Sequence, residues 1–275
     1  MSGLRAGLRL LLFALHTLPL MPVQQLLVKL GSPRAATLPW RYHRRNCRLL
    51  GFEVHAHGRR ADARPVLFVS NHVSWIDIVV LSGLSPVSFV AKSEVGLWPF
   101  FGTLARLQRT VFVERRAART AHHRDEIGRR LAEGGDLILF PEGTSSDGGR
   151  VLPFRTGLFS VAERTVAGQP LTVQPLTIAY TGLDGLPLSR RRRPEFAWYG
   201  DMELASHLWR ALRAGRIRVD VIYHPPATMA EFADRKALAA HCERVVADGL
   251  ARALSGRLAP PPEHSVAQGA RAAAA

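Results

Sequence analysis

Apolar residues dominate positions 8–30, and from residue 48 onward short apolar runs alternate with longer stretches of mixed polarity. The first run is interrupted by His16, Thr17, Pro19, Pro22, Gln24 and Gln25, which leaves no clean stretch of about 20 apolar residues for a bilayer crossing. It therefore predicts a helical hairpin or an interfacial anchor. A core-packing helix and a cleaved leader behind Arg5 and Arg9 are the other readings. Beyond it, β-type runs are expected at 51–56, 65–70, 87–91, 110–113, 136–140, 172–180, 195–198 and 216–223. Helices are expected at 74–82, 98–107, 117–133, 157–166, 203–213 and 229–253. Strands that alternate with helices imply an α/β fold, a mainly parallel mixed sheet flanked by helices. The division predicted is an N-terminal helical, membrane-associating region at 1–45, an α/β domain at 46–258 and a Pro/Ala-biased disordered tail at 259–275.

Composition narrows the classes. With 275 residues, 47% hydrophobic and 21% charged, the chain has enough apolar content for one sizeable core and too little for a polytopic membrane protein. Its two cysteines, Cys47 and Cys242, form no CxxC or Cys/His cluster, so neither a disulfide framework nor a structural zinc site is available, and no metal is expected. A formal charge of +15 favours anionic partners such as an acidic lipid surface. Nucleic acid is not expected, because no basic helix with interleaved aromatics appears. Lys29, Lys92 and Lys236 are the only lysines, an arginine bias that also fits genome composition.

Three stretches could carry chemistry. SNHVSWID, at 70–77, follows the apolar run VLFV and reads as strand, turn, helix, placing His72 and Asp77 where open α/β sheets bind ligands. Residues five apart lie about 140° apart on a helix. His72 must then sit in the turn, with Asp77 reaching back to fix one ring nitrogen and leave the other as a base. A plain helix cap with a solvated Asp77 fits the same spacing. ILFPEGTSSDG, at 138–148, ends a second strand in a loop whose Gly143 lets backbone approach a ligand and whose Thr144, Ser145 and Ser146 supply donors. Glu142 there could bind a ligand hydroxyl or orient arginines, and the loop also suits an ordinary turn. RLQRTVFVERR, at 106–116, sets Arg109, Arg115 and Arg116 around a strand, a composition suited to phosphate. GxSxG, P-loop, GxGxxG and HExxH motifs are absent.

Taken together and in this order, the stretches resemble the glycerolipid acyltransferase family that includes the 1-acyl-sn-glycerol-3-phosphate acyltransferases. The resemblance covers residues 65–180. His72 and Asp77 match its NHxxxxD motif, which implies a general base and its orienting carboxylate. FVER at 112–115 looks like its second block, implying acceptor contact by Arg115. FPEGT at 140–144 looks like the third, implying acceptor binding by Glu142, Gly143 and Thr144. Gln174, Pro175 and Leu176 match the fourth only loosely, and Lys92 falls where an oxyanion-stabilising lysine is common. The implied activity is O-acyl transfer without a cofactor, from acyl-CoA or acyl-carrier protein to a lysophospholipid hydroxyl, foremost 1-acyl-sn-glycerol-3-phosphate to give phosphatidic acid. The runs AKSEVGLWPFFG, TSSDG and WYGDM also look like the branch that acylates lyso-ornithine lipids. The implied location is the cytoplasmic face of the cell membrane, with an anionic membrane surface as partner. A catalytically silent lipid-binding protein would share the anchor and the charge without needing the His72/Asp77 pair.

Overall fold

The computed structural model describes residues 2–113 and 120–258. Arg115 and the tail from residue 259 therefore lie outside the described residues. The chain opens with α1 (Ser2–Lys29) and α2 (Arg34–Leu50). Then come β1 (Phe52–Gly58), β2 (Val66–Ser70), α3 (Ile76–Leu84), β3 (Ser88–Lys92), α4 (Phe101–Leu107), β4 (Val111–Val113), α5 (Thr120–Ala132) and β5 (Leu137–Leu139). The second half holds the short strands β6 (Thr165–Val166) and β7 (Gln169–Pro170), then β8 (Thr172–Leu183), β9 (Leu186–Pro187), α6 (Leu204–Arg213), β10 (Ile217–Tyr223) and α7 (Arg235–Leu254).

The main sheet runs β1-β10-β8-β2-β5-β3-β4, with β9 paired to β8. Its pairs are parallel except β10 with β8 and β8 with β9, so the sheet is mixed and mainly parallel. The alternation of a strand sends successive side chains to opposite faces. In β2, Val66 and Phe68 join the core beneath α2, α3 and α6, whereas Leu67 and Val69 join the core beneath α5 and α7. Both faces are covered, which is why VLFVS is buried throughout. The carboxyl ends of β2, β5 and β3 lie side by side, since Leu67 and Ser88 both pair with Leu137.

Where the structure departs from the sequence reading, local contacts explain it. The residues expected as a strand at 195–198 form a 3₁₀ turn, Arg193–Glu195, and a loop, because the Trp198 backbone is taken up by the site: its N–H donates to the Val73 carbonyl. The helix expected at 157–166 is a 3₁₀ stretch, Thr156–Glu163, which directs Phe159, Val161 and Ala162 into the α7-side core before β6 begins. The last helix starts at Arg235 rather than 229, because Asp234 caps it by accepting from the Ala237 N–H at 2.8 Å.

The N-terminal run is one unbroken 28-residue helix despite Pro19 and Pro22, and it is long and apolar enough to cross a membrane. Each proline removes a backbone donor. Contacts on either side of the pair hold the helix: Thr17 Oγ1 lies 2.8 Å from Tyr42 Oη on α2, and Gln24 Nε2 donates to the carbonyls of Ala35 and Leu107. At its start, Arg9 donates to the Leu212, Ala214 and Gly215 carbonyls, closing the C-terminus of α6. Helix α2 continues through residue 45 and ends at Gly51, whose φ of 82° lets its N–H turn back to the helix carbonyls.

One face of α1 thus belongs to the fold. The other presents Leu4, Leu8, Leu11, Leu15 and Leu18, at helical spacing and all more than half exposed. An apolar stripe of this length suits a lipid phase. Replacing Leu4, Leu8, Leu11 and Leu15 together by Gln is expected to weaken binding to phospholipid vesicles by roughly a hundredfold or more, with the circular dichroism spectrum unchanged. Equal sedimentation of variant and parent with vesicles would show that this face does not meet the membrane.

Candidate active site

Residues 71–75 leave β2 at its carboxyl end and turn into α3. Asn71 fixes the departure, its side chain donating to the Ile178 carbonyl and accepting from the Ile178 N–H, both at 2.9 Å. His72 stands in the turn and Asp77 in the first turn of the helix. The Asp77 carboxylate is fully buried and held by four donors. Oδ2 accepts from His72 Nδ1 at 2.7 Å, from the Val73 N–H at 2.7 Å and from the Ser74 N–H at 3.0 Å, and Oδ1 accepts from Tyr180 Oη at 2.6 Å. Burial, with the Asp77 charge beside it, raises the Tyr180 phenol well above its usual value, so it stays protonated and donates.

A carboxylate only accepts, so Nδ1 carries the ring proton and Nε2 presents its lone pair. The ring is stacked on Phe140 with centroids 4.1 Å apart, and Phe140 stacks in turn on Phe89. Its rotation is therefore fixed by a hydrogen bond at one edge and an aromatic face beneath. The imidazole remains one-fifth exposed and borders a cavity of about 1010 Å³. Phe13 and Leu20 of α1, Ile78 of α3, Leu104 of α4 and Leu208 of α6 line that space. A basic nitrogen beside a large apolar cavity can deprotonate a hydroxyl carried on a long apolar molecule.

The loop after β5 closes the other side. Gly143, Thr144 and Ser145 line the cavity, and Gly143 has φ +68° with the Arg155 guanidinium packed against it, so a side chain there would meet both strain and a clash. Ser146 donates its N–H to the His72 carbonyl, and Ser145 Oγ donates to the Trp198 carbonyl. Lys92 borders the cavity at the carboxyl end of β3. The site thus gathers His72, Asp77, Lys92, Gly143 and Thr144. Glu142 sits beneath the loop, its carboxyl group buried and its Oε1 accepting from the His72 N–H at 3.2 Å. Arg115 lies outside the described residues. Gln174 is away from the cavity, bonded to the backbone of Ala61, Arg59 and His224.

Tyr180, Phe140, Arg155 and Trp198 complete the arrangement and were not singled out from the sequence. Phe140 and Trp198 fall inside runs that carried the resemblance. For Tyr180 the signal is weak: it lies at the end of an apolar run that alternation alone places in a core. Only the pairing of β8 with β2 brings its hydroxyl to Asp77.

Comparison with known proteins agrees with this geometry. A family model described as Acyltransferase matches residues 51–179. A lyso-ornithine lipid O-acyltransferase of Rhizobium meliloti is 45% identical over 261 residues, covering 94% of this chain and 88% of that one. A 1-acyl-sn-glycerol-3-phosphate acyltransferase of Neisseria gonorrhoeae is 34% identical over 195 residues, covering 69% and 70%. The crystal structure of a 1-acyl-sn-glycerophosphate acyltransferase from Thermotoga maritima shares the fold, with a TM-score of 0.63 at 22% identity over 94% of this chain and 100% of that one.

Tyr180→Phe strips Asp77 Oδ1 of its donor inside the core, and is expected to lower stability by about 1–3 kcal/mol in chemical denaturation. A variant as stable as the parent would show that this hydroxyl is not needed to hold the carboxylate.

Proposed function

The chain belongs to the acyltransferase family, and we propose that it moves a fatty acyl group from a thioester, carried by coenzyme A or acyl-carrier protein, to the hydroxyl of lyso-ornithine lipid. The observation that carries the transfer is the His72 ring, tied to Asp77 through Nδ1 at 2.7 Å at the edge of the cavity. In this reading Nε2 takes the proton of the acceptor hydroxyl as its oxygen attacks the thioester carbonyl. The C–S bond then breaks, and the departing thiolate receives the proton from the imidazolium. Asp77 stabilises that imidazolium, and Lys92, which borders the same cavity, offsets charge on the carbonyl oxygen in this reading. General-base catalysis supplies roughly 10²–10⁴-fold. The remainder falls to positioning and fixed electrostatics.

The acceptor follows from the relatives. Identity is higher and coverage longer for the relative named for lyso-ornithine lipid than for the one named for 1-acyl-sn-glycerol-3-phosphate. The latter, giving phosphatidic acid, is the second reading, favoured by the FPEGT and FVER runs. Both acceptors bring an anion, a carboxylate or a phosphate, and Arg155 beside Gly143 suits either. A lipid acceptor resides in the membrane and the thioester donors are aqueous and cytoplasmic. The apolar face of α1 and the +15 charge fit a site that opens onto the cytoplasmic, anionic membrane surface.

The test is acyl transfer by purified protein, with acyl-CoA and acyl-carrier protein each offered lyso-ornithine lipid and lysophosphatidate in parallel. Transfer to lyso-ornithine lipid is expected to dominate and to fall at least ~10³-fold in His72→Ala. Preference for lysophosphatidate would select the second acceptor, and near-native turnover by the variant would end the role of the imidazole.

A further inference from the structure

Glu142 opens the EGT run that the family resemblance ties to acceptor binding, yet its carboxyl group does not border the cavity. It is 3% exposed and lies between two loops. Oε1 accepts from the His72 N–H at 3.2 Å. Oε2 is buried with no hydrogen-bond partner among the described residues. The bond to His72 does not stand alone. Ser146 N–H donates to the His72 carbonyl at 2.9 Å, and Arg155 N–H donates to the Pro141 carbonyl at 2.9 Å. The peptide units on both sides of the His72 Cα are thus gripped by the loop after β5, one through the Glu142 side chain.

We propose that Glu142 is a positioning residue for acyl transfer, which holds the backbone of His72 so that its ring meets the acceptor hydroxyl, and that it does not bind the acceptor. This rests on the reading of His72 as the base. An imidazole placed by its backbone moves with that backbone, and a displacement of about 1 Å costs on the order of 10²-fold in rate. The neighbours favour an uncharged acid in this position. Asp77 of α3 and Glu243 of α7 are the carboxylates facing it, His72 is the titratable ring above it, and among the described residues no donor reaches Oε2. Desolvation pushes the Glu142 carboxyl up, the hydrogen bond from the His72 N–H opposes it, and the charges of Asp77 and Glu243 add to the rise, which brings it to about 8. Glutamine is therefore its close structural substitute near neutral pH: the amide oxygen still accepts, and no charge is lost.

Between about pH 4.5 and 8 the unfolded chain has released this proton while the folded protein keeps it, so folding stability contributed by the group declines as pH rises through that window. Glu142→Gln removes the decline.

Two measurements test the assignment. At pH 7, Glu142→Gln is expected to keep kcat within about threefold of the parent, and Glu142→Ala to lose roughly 10²-fold in kcat with the acceptor KM within about twofold. Both variants raising the acceptor KM tenfold with kcat intact would overturn the proposal in favour of acceptor binding. In parallel, the thermal midpoint of the parent is expected to fall relative to that of Glu142→Gln between pH 5 and 8, and the two curves running parallel would overturn it. The second readout needs no turnover. If the parent transfers no acyl group at all, the reading of His72 fails by itself, and the pair of stability curves still decides whether Glu142 is the uncharged clamp.

Discussion

One buried carboxylate organises the carboxyl end of the sheet, beside the cavity. Asp77 has no contact with water, and its oxygens are satisfied by the ring of His72, two backbone N–H groups of the turn that carries that ring, and the Tyr180 hydroxyl from β8. An unpaired charge there would cost several kcal/mol, so the turn, the helix start and the strand pairing must all be in place together. The same bonds that make the charge tolerable also fix which imidazole nitrogen is bare. Stability and tautomer are set by one group of contacts.

The second element is the two-sidedness of α1, packed on the fold along one face and apolar and exposed along the other. Its inner side is tied down by Arg9, Thr17 and Gln24 and forms part of the cavity wall, while its outer leucines face away from the protein. The cavity beside His72 is thus bounded by the same helix that presents an apolar surface outward. A long-chain molecule leaving a bilayer along that helix would meet the imidazole without crossing open water, which avoids the exposure of its apolar surface.

Much of this was legible in the sequence, for identifiable reasons. The apolar run at 66–69 followed by a turn announced a buried strand with a site at its end, and the five-residue spacing forced His72 out of the helix and Asp77 into it. Composition and alternation were enough for a mainly parallel mixed sheet. What stayed hidden depended on contacts distant in the chain. Tyr180 reaches Asp77 only through the β8–β2 register, and 195–198 fails to form a strand because Val73 and Ser145 claim the Trp198 backbone. Pro19 and Pro22 argued for a broken N-terminal helix, since propensity does not include the side-chain bonds to α2 and α4 that hold it. The resemblance named Glu142, but its loop geometry, with the carboxyl beneath the backbone of His72, appears only in three dimensions.

The bond from His72 Nδ1 to Asp77 demands a ring protonated at Nδ1 and bare at Nε2. That tautomer is read by ¹⁵N nuclear magnetic resonance of histidine-labelled protein near pH 8, with the His72 ring assigned by its loss in His72→Gln. A protonated Nδ1 and an unprotonated Nε2 are expected in the parent, with a weakened preference for that tautomer in Asp77→Asn. A parent spectrum with the proton on Nε2, or one unaltered by Asp77→Asn, would contradict it.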